Sequence, residues 1–201
     1  MKESFTKFNL YKDPIVLFAK WFKEAQQKEI NDPNAMNLAT ISKNLKPTSR
    51  IVLLKSFDKE GFVFFSNSES KKGVSILRNK NVALNFYWKS LHKQVRIEGK
   101  ASRISNKESD AYYFTRPNES KIGAWASQQS RKLDNRKILV DAVKKYKSRF
   151  KNVEIKRPHY WIGYRVKPNL IEFWKEMPFR LHDRLEFKRV SGKWSKSRLY
   201  P

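Results

Sequence analysis

The stretch RIVLLKSFDKEGFVFFSN, residues 50–67, holds two β-rich runs on either side of Asp58-Lys59-Glu60-Gly61. Branched and aromatic residues dominate both runs, and the polar tetrad between them ends on glycine, the chemistry of a hairpin loop. Ser49 to Phe57 is therefore predicted as one strand and Gly61 to Asn67 as its antiparallel return. Arg50 and Lys55 stand five apart on the first run. An unbroken strand would turn them to opposite faces, with Ile51 and Leu53 beside Lys55 and Val52 and Leu54 beside Arg50. Both can serve one site only if the strand twists or bulges, or if a ligand approaches from two sides.

Working outward, Asp13-Pro14 reads as the N-cap and first residue of a helix whose apolar stripe is Leu17, Phe18, Trp21, Phe22 and Ala25, ended by Asp32-Pro33-Asn34. Met36 to Ser42 alternates as a strand, and Lys43 to Thr48 is a turn. After the hairpin, Ser68 to Asn79 reads as a short helix bearing Lys71 and Lys72 near its start, followed by strands Val82 to Trp88 and Lys93 to Ile104. Helical pattern resumes at Lys107 to Phe114, Ser120 to Ala126 and Asp134 to Phe150, the last with a stripe of Ile138, Leu139, Ala142, Val143 and Tyr146. Four short strands close the chain: Tyr160 to Val166, Leu170 to Lys175, Leu181 to Val190, and Lys193 to Leu199. Many short strands with inserted helices predict one barrel-like antiparallel α+β domain over residues 1–201, with a short segment at 1–12 to which no site is assigned.

Composition narrows the chemistry. The 201 residues suffice for a real core, and the absence of cysteine removes disulfides, thiolate nucleophiles and thiolate metal sites. His92, His159 and His182 lack short metal-ligand spacing, so no metal is expected. Six glycines form neither GxGxxG nor GxxxxGK[ST], which excludes a Rossmann loop and a P-loop. Any nucleotide-like ligand must be held by side chains and strand backbone. The apolar run Ile15 to Ala19 stops at Lys20, and no run reaches membrane-spanning length, so a cytoplasmic protein without a membrane partner is expected. Forty-four Lys and Arg against nineteen Asp and Glu give a formal charge of +25. That excess fits a nucleic-acid partner, but it is spread along the whole chain without a zinc finger or aromatic RNP-type motif, so such a partner is not the expectation.

The other informative stretch is IEFWKEMPFRLHDR, residues 171–184. Read as an extended strand, its last five residues would set Arg180, His182 and Arg184 on one face, close to Phe173 and Trp174. Such a face can hold a flat anionic ligand by charge-assisted hydrogen bonds and stacking, although any arbitrary RxHxR also fits a charged edge strand. Tyr112, Arg116 and Ser120 recur at i, i+4 and i+8, interrupted by Pro117, so they bracket a junction between two helices and suit a phosphate monoester. Lys71-Lys72 at a helix start could also bind phosphate, helped by free backbone N–H groups. Trp88, Trp125 and Trp161 carry no motif and are assigned to core or interface.

These stretches, in their order, resemble the pyridoxamine 5'-phosphate oxidases. The similarity rests on Glu172-Phe173-Trp174 followed after five residues by RLHDR, on RIVLLK, FVFFSN, the lysine pair, Gln94, YYFTRPNESKIGAWAS and Gln129-Ser130, and it runs from about Asp13 to Pro201. The resemblance implies an FMN-binding split β-barrel, with residues 160–201 as the C-terminal strands carrying the signature, and a homodimer with FMN at the subunit interface. It implies FMN contacts at Arg50, Ile51, Val52, Leu53, Leu54, Lys55, Phe65, Ser66, Lys71, Lys72, Gln94, Gln129, Ser130, Trp174 and Arg184. It places the phosphorylated B6 substrate on Lys55, Tyr112, Arg116, Ser120, Arg180, Leu181 and His182, with Arg180 and His182 as the catalytic pair. Lys71 stands where the family usually has arginine, which keeps the charge but loses the bidentate fork.

The chemistry the resemblance implies is hydride transfer from pyridoxamine or pyridoxine 5'-phosphate to the flavin, with O2 reoxidising it to give hydrogen peroxide and pyridoxal 5'-phosphate. No nucleophile–base constellation, paired carboxylates or metal cluster is visible, in keeping with a cofactor that carries the reaction. Two other classes fit parts of the same features. One is a split-barrel flavin reductase or sensor with another substrate, which would be expected to lack Arg116, Arg180 or His182. The other is a basic nucleic-acid-binding protein, which would be colourless and bind DNA with a steep salt slope.

Overall fold

The computed structural model describes residues 10–201, so most of the short segment expected over 1–12 lies outside the described residues. Helix α1 (Pro14–Lys28) begins where expected, because the Asp13 side chain accepts from the Ile15 backbone N–H at 2.8 Å and Pro14 follows the cap. Its face of Leu17, Phe18, Trp21 and Ala25 is buried. Phe18 is fully enclosed, with Phe57, Phe62 and Phe86 edge-on at 4.8, 4.9 and 5.2 Å. The helix thus closes the hollow of a curled antiparallel sheet.

That sheet contains β1 (Ala35–Ile41), β2 (Pro47–Leu53), β3 (Ser56–Asp58), β4 (Gly61–Asn67), β5 (Asn81–Trp88), β6 (Lys93–Arg103), β7 (Trp161–Lys175), β8 (Asp183–Val190) and β9 (Lys193–Arg198). Its order is β2-β1-β5-β6-β7-β4-β3, with β8 and β9 branching from β7. The fork lies within β7: residues 161–166 pair with β4, residues 170–175 pair with β8, and β6 lines the other edge from Tyr164 to Lys175. Four more helices are inserted between strands: α2 (Lys71–Arg78), α3 (Asn106–Phe114), α4 (Asn118–Ala126) and α5 (Arg136–Arg149). Ser70, Ser105 and Asn135 cap three of them, and Ser105 forms a capping box with Glu108.

Three expectations change. First, Tyr160–Val166 and Leu170–Lys175 are not separate strands. The Lys167-Pro168-Asn169 break is absorbed as a bulge in β7, where Gly99 faces Pro168, Glu98 faces Leu170, and Asn169 is extra. Proline's missing N–H is tolerated there, and Gly99 is required opposite, because a Cβ would stand 2.3 Å from the Lys167 carbonyl oxygen. Second, the apolar stripe of α5 is not core: Ile138 and Val143 are exposed, and Trp125 packs on Tyr146 and Phe150 at 5.8 and 5.6 Å over a half-buried contact. Third, RLHDR is not a strand. Pairing stops at Lys175, Pro178–Arg180 forms a 3-10 turn with Phe179 and Arg180 in the left-handed region (φ 58° and 62°), and β8 starts only at Asp183, opposite Lys175. Arg180, His182 and Arg184 therefore do not share a strand face.

Candidate functional site

Ser49–Phe57 proves to be two strands, and the break creates the site. Leu53 ends the pairing with β1; the Leu54 N–H then donates to the Asn34 carbonyl at 2.8 Å and the Lys55 N–H to the Val63 carbonyl at 2.9 Å. The chain passes from one side of the barrel to the other within two residues. Leu54 drops into the core, while Lys55 joins Arg50, Ile51, Val52 and Leu53 along one cleft of about 830 Å³. The expected conflict between Arg50 and Lys55 is thereby resolved, while the Leu54 side chain lies in the core and not on the cleft wall.

The opposite walls come from Phe65, Ser66 and Lys72, from Tyr112, Arg116 and Ser120 around the α3–α4 junction, and from Gln129. None of the cleft-lining residues, among those described, is Asp or Glu, yet four are cationic. Arg50 is held by neutral oxygens alone, donating to Leu38 O (3.2 Å), Thr40 Oγ1 (2.7 Å) and Thr48 Oγ1 (2.8 Å). Lys72 turns inward from the first turn of α2 and is buried, its Nζ donating to Ser66 Oγ at 3.0 Å, Gln129 Oε1 at 3.2 Å and Ser70 Oγ at 3.4 Å. Burial, aided by the neighbouring Arg50 charge, pushes its ammonium down to about 8. Burial likewise lowers Arg116, whose Nη1 is enclosed without a hydrogen-bond partner. Desolvated cations with no carboxylate nearby are costly unless an anion enters.

Trp161, assigned from sequence only to core or interface, lines this cleft. Its ring stacks on Phe65 at 4.9 Å and carries the Arg116 guanidinium at 4.7 Å, while Tyr112 stacks on Phe65 at 4.2 Å. Along α4, Ser120, Gly123, Ala124 and Ser127 also face the cleft. Their i, i+3, i+4 and i+7 spacing is a small-residue helix face visible in the sequence itself. Asn67, Thr115 and Pro117 complete the wall.

The remaining expected residues lie elsewhere on this chain. Gln94, Trp174 and Arg184 are direct cross-strand neighbours on β6, β7 and β8. The buried Glu172 carboxylate accepts from Arg184 Nε at 2.8 Å and Arg96 Nη1 at 2.7 Å, and Arg184 Nη1 also donates to the Tyr200 carbonyl at 2.9 Å. The hydrogen bond to Glu172 raises the Arg184 pKa. His182 packs on Trp174 at 4.6 Å between centroids, and its Nδ1 accepts from the Met177 N–H at 3.2 Å, which leaves Nε2 to carry the proton in the neutral ring. Arg180 and Leu181 are exposed. Leu181, His182 and Arg184 border a recess of about 320 Å³ closed by Arg198–Pro201. Lys71 and Ser130 flank a third recess, which Gln129 shares with the main cleft. One copy thus brings together Arg50–Leu53, Lys55, Phe65, Ser66, Lys72, Gln129, Tyr112, Arg116 and Ser120, and holds Gln94, Trp174, Arg180, Leu181, His182 and Arg184 apart from them.

Residues 22–150 match the family described as pyridoxamine 5'-phosphate oxidase. The chain belongs to that family. Residues 161–201 match the pyridoxine 5'-phosphate oxidase C-terminal dimerisation region, which contains the whole Trp174–Arg184 cluster. The pyridoxine/pyridoxamine 5'-phosphate oxidase of Agrobacterium fabrum is 52% identical over 191 residues, covering 94% of this chain and 93% of that one. That of Brucella canis is 49% identical over 203 residues, covering both chains completely. Among solved structures, PhzG from Burkholderia lata 383 in complex with tetrahydrophenazine-1-carboxylic acid superposes with a TM-score of 0.89 at 29% identity, covering 95% of this chain and 94% of that one. A pyridoxamine 5'-phosphate oxidase-related, FMN binding protein from Nostoc punctiforme shares the fold, with a TM-score of 0.72 at 14% identity over 90% of this chain and 96% of that one. The family's fold, a split antiparallel barrel, is the one built by the fork in β7. No helix among the described residues is long and apolar enough to cross a membrane.

Proposed function

We propose that this chain oxidises pyridoxine 5'-phosphate and pyridoxamine 5'-phosphate to pyridoxal 5'-phosphate, using FMN held between the cleft of one copy and the C-terminal cluster of a second. The observation that carries this reading is the cleft itself: four cations, no lining carboxylate, an enclosed Arg116 Nη1 without a partner, and a volume suited to a cofactor with its substrate. FMN and substrate each bring a phosphate, and the residues present fit both.

Arg50 and Lys72, with Ser66 and Gln129, would hold the FMN phosphate; Lys71 and Ser130 lie just beyond Gln129. Lys55, Tyr112, Arg116 and Ser120 would hold the substrate phosphate across the cleft, where Tyr112 and Ser120 add hydroxyl donors to the two charges. When bound, FMN supplies the hydride acceptor and the route to O2, with hydrogen peroxide as by-product and, from the amine, ammonia after addition of water. A second copy would bring Gln94, Trp174 and Arg184 to the flavin edge and Arg180 with His182 to the substrate ring. Arg180 is exposed on the left-handed Phe179-Arg180 turn, accessible to a second copy. Glu172 keeps Arg184 charged and oriented, and the Met177 N–H sets the His182 tautomer.

The purified protein should be yellow, and anaerobic pyridoxamine 5'-phosphate should bleach the flavin band. A colourless protein, or a flavin band that the phosphorylated substrate does not bleach, would refute the proposal.

A further inference from the structure

Arg180 is exposed, and two other arginines assigned to cofactor or substrate are anchored by hydrogen bonds. Arg50 donates to a carbonyl and two hydroxyls, and Arg184 to a carboxylate and a carbonyl. Arg116 differs: among the described residues its guanidinium makes no hydrogen bond to protein, and its contacts are aromatic faces, Trp161 at 4.7 Å and Tyr113 at 5.7 Å. A planar guanidinium on an indole is held in place by the ring quadrupole while its N–H donors, which lie in the guanidinium plane, stay available. The platform is itself fixed. Trp161 is sandwiched with Phe65, meets Tyr113 edge-on at 5.1 Å, and its carbonyl accepts from Arg157 Nη1 at 2.7 Å; Arg157 is in turn paired to Asp110 at 2.6 Å.

We infer that Trp161 is a positioning residue for phosphate recognition: it presents Arg116 to the substrate phosphate without occupying any of that arginine's donors. The inference deepens the functional reading above and rests on it. A carboxylate in the same place would orient Arg116 equally well, but it would neutralise the charge and take up two donors. The aromatic platform avoids both losses, which explains why a buried guanidinium nitrogen is left without a partner.

The test compares pyridoxal 5'-phosphate with unphosphorylated pyridoxal as ligands of the FMN-loaded protein, in wild type, Trp161→Phe, Trp161→Leu and Arg116→Ala. Removing the ring face in Trp161→Leu should weaken pyridoxal 5'-phosphate binding about tenfold, with pyridoxal affected much less, whereas Trp161→Phe should lose about threefold. In turnover, the larger part of the Trp161→Leu loss should fall on KM for pyridoxine 5'-phosphate rather than on kcat. Because Trp161→Leu can fail to fold, the decisive comparison is Trp161→Phe in the Arg116→Ala background, where it should have no further effect on pyridoxal 5'-phosphate affinity. Equal losses for phosphorylated and unphosphorylated ligands, or an undiminished effect of Trp161→Phe without Arg116, would overturn the inference. Failure of wild type to bind pyridoxal 5'-phosphate at all would instead overturn the functional reading, and the inference with it.

Discussion

Replacing Lys72 by methionine should move stability and cofactor affinity in opposite directions. Lys72 is 8% exposed, the three acceptors of its ammonium are all neutral, and Arg50 is its charged neighbour. A fall from 10.5 to about 8 corresponds to roughly 3 kcal/mol against the charged form at neutral pH. Part of that is regained when methionine fills the space, offset by the hydrogen bonds lost at Ser66 and Gln129, so the flavin-free protein should gain about 1–2 kcal/mol. FMN binding should lose a charge-assisted hydrogen bond to phosphate, about 1.5–3 kcal/mol, or roughly 10- to 100-fold in Kd.

The pH dependence follows from the same displacement. The folded pKa lies below the unfolded one, so the penalty is complete below about 8 and is relieved as pH rises from about 8 toward 10.5. FMN, which needs the charged form, should bind progressively more weakly above about pH 8. Thermal denaturation of the flavin-free protein and fluorescence titration with FMN from pH 7 to 10 measure both effects, with exposed Lys59→Met in the hairpin loop controlling for net charge. A Lys72→Met protein that is less stable without flavin, or wild-type FMN affinity that stays level through this range, would refute the reasoning.

Glu172→Gln should cost about 3 kcal/mol in denaturant unfolding at fixed protein concentration, because it leaves Arg96 and Arg184 without their shared buried carboxylate; a loss under 1 kcal/mol would contradict this. Gly123→Leu should raise the stability of the flavin-free protein by about 0.5–1 kcal/mol, since a Cβ there meets nothing within 4 Å and glycine is a poor helix residue. The same side chain enters the cleft and should abolish turnover, and unchanged turnover would show that the cleft is not the site. Gly99→Ala should destabilise by about 2 kcal/mol or more, because its Cβ would lie 2.3 Å from the Lys167 carbonyl oxygen and the β6–β7 ladder must part; an unshifted melting temperature would be the contrary result.

Local chemistry was readable wherever one residue type answers one local need. Asp13-Pro14 starts α1, and the Asp58 carboxylate accepts from Glu60 and Gly61 N–H to close the hairpin. Features decided by distant partners were not readable. The strand break at Leu54 depends on Asn34 and Val63, which take the two N–H groups in different directions. Pro168 signals a strand end, yet β6 continues alongside and turns it into a bulge. RLHDR has strand-like alternation, but Pro178 and two left-handed residues leave only its last two residues paired. The cleft residues on β2, β4, α2 and α3 followed from the family resemblance. Trp161 belongs to no motif, and its place over Arg116 exists only after β7 packs on the α3–α4 junction.

The claim beneath all of this is that a working site takes its cleft from one copy and Arg180 with His182 from another. Arg116→Ala and Arg180→Ala, each nearly inactive alone, should complement when refolded together in equal amounts. Half the dimers are then mixed, and each mixed dimer holds one site with both residues intact, so roughly a quarter of wild-type activity should return. Activity that stays at the level of the separate variants would mean that both residues act within one copy, and would contradict the account.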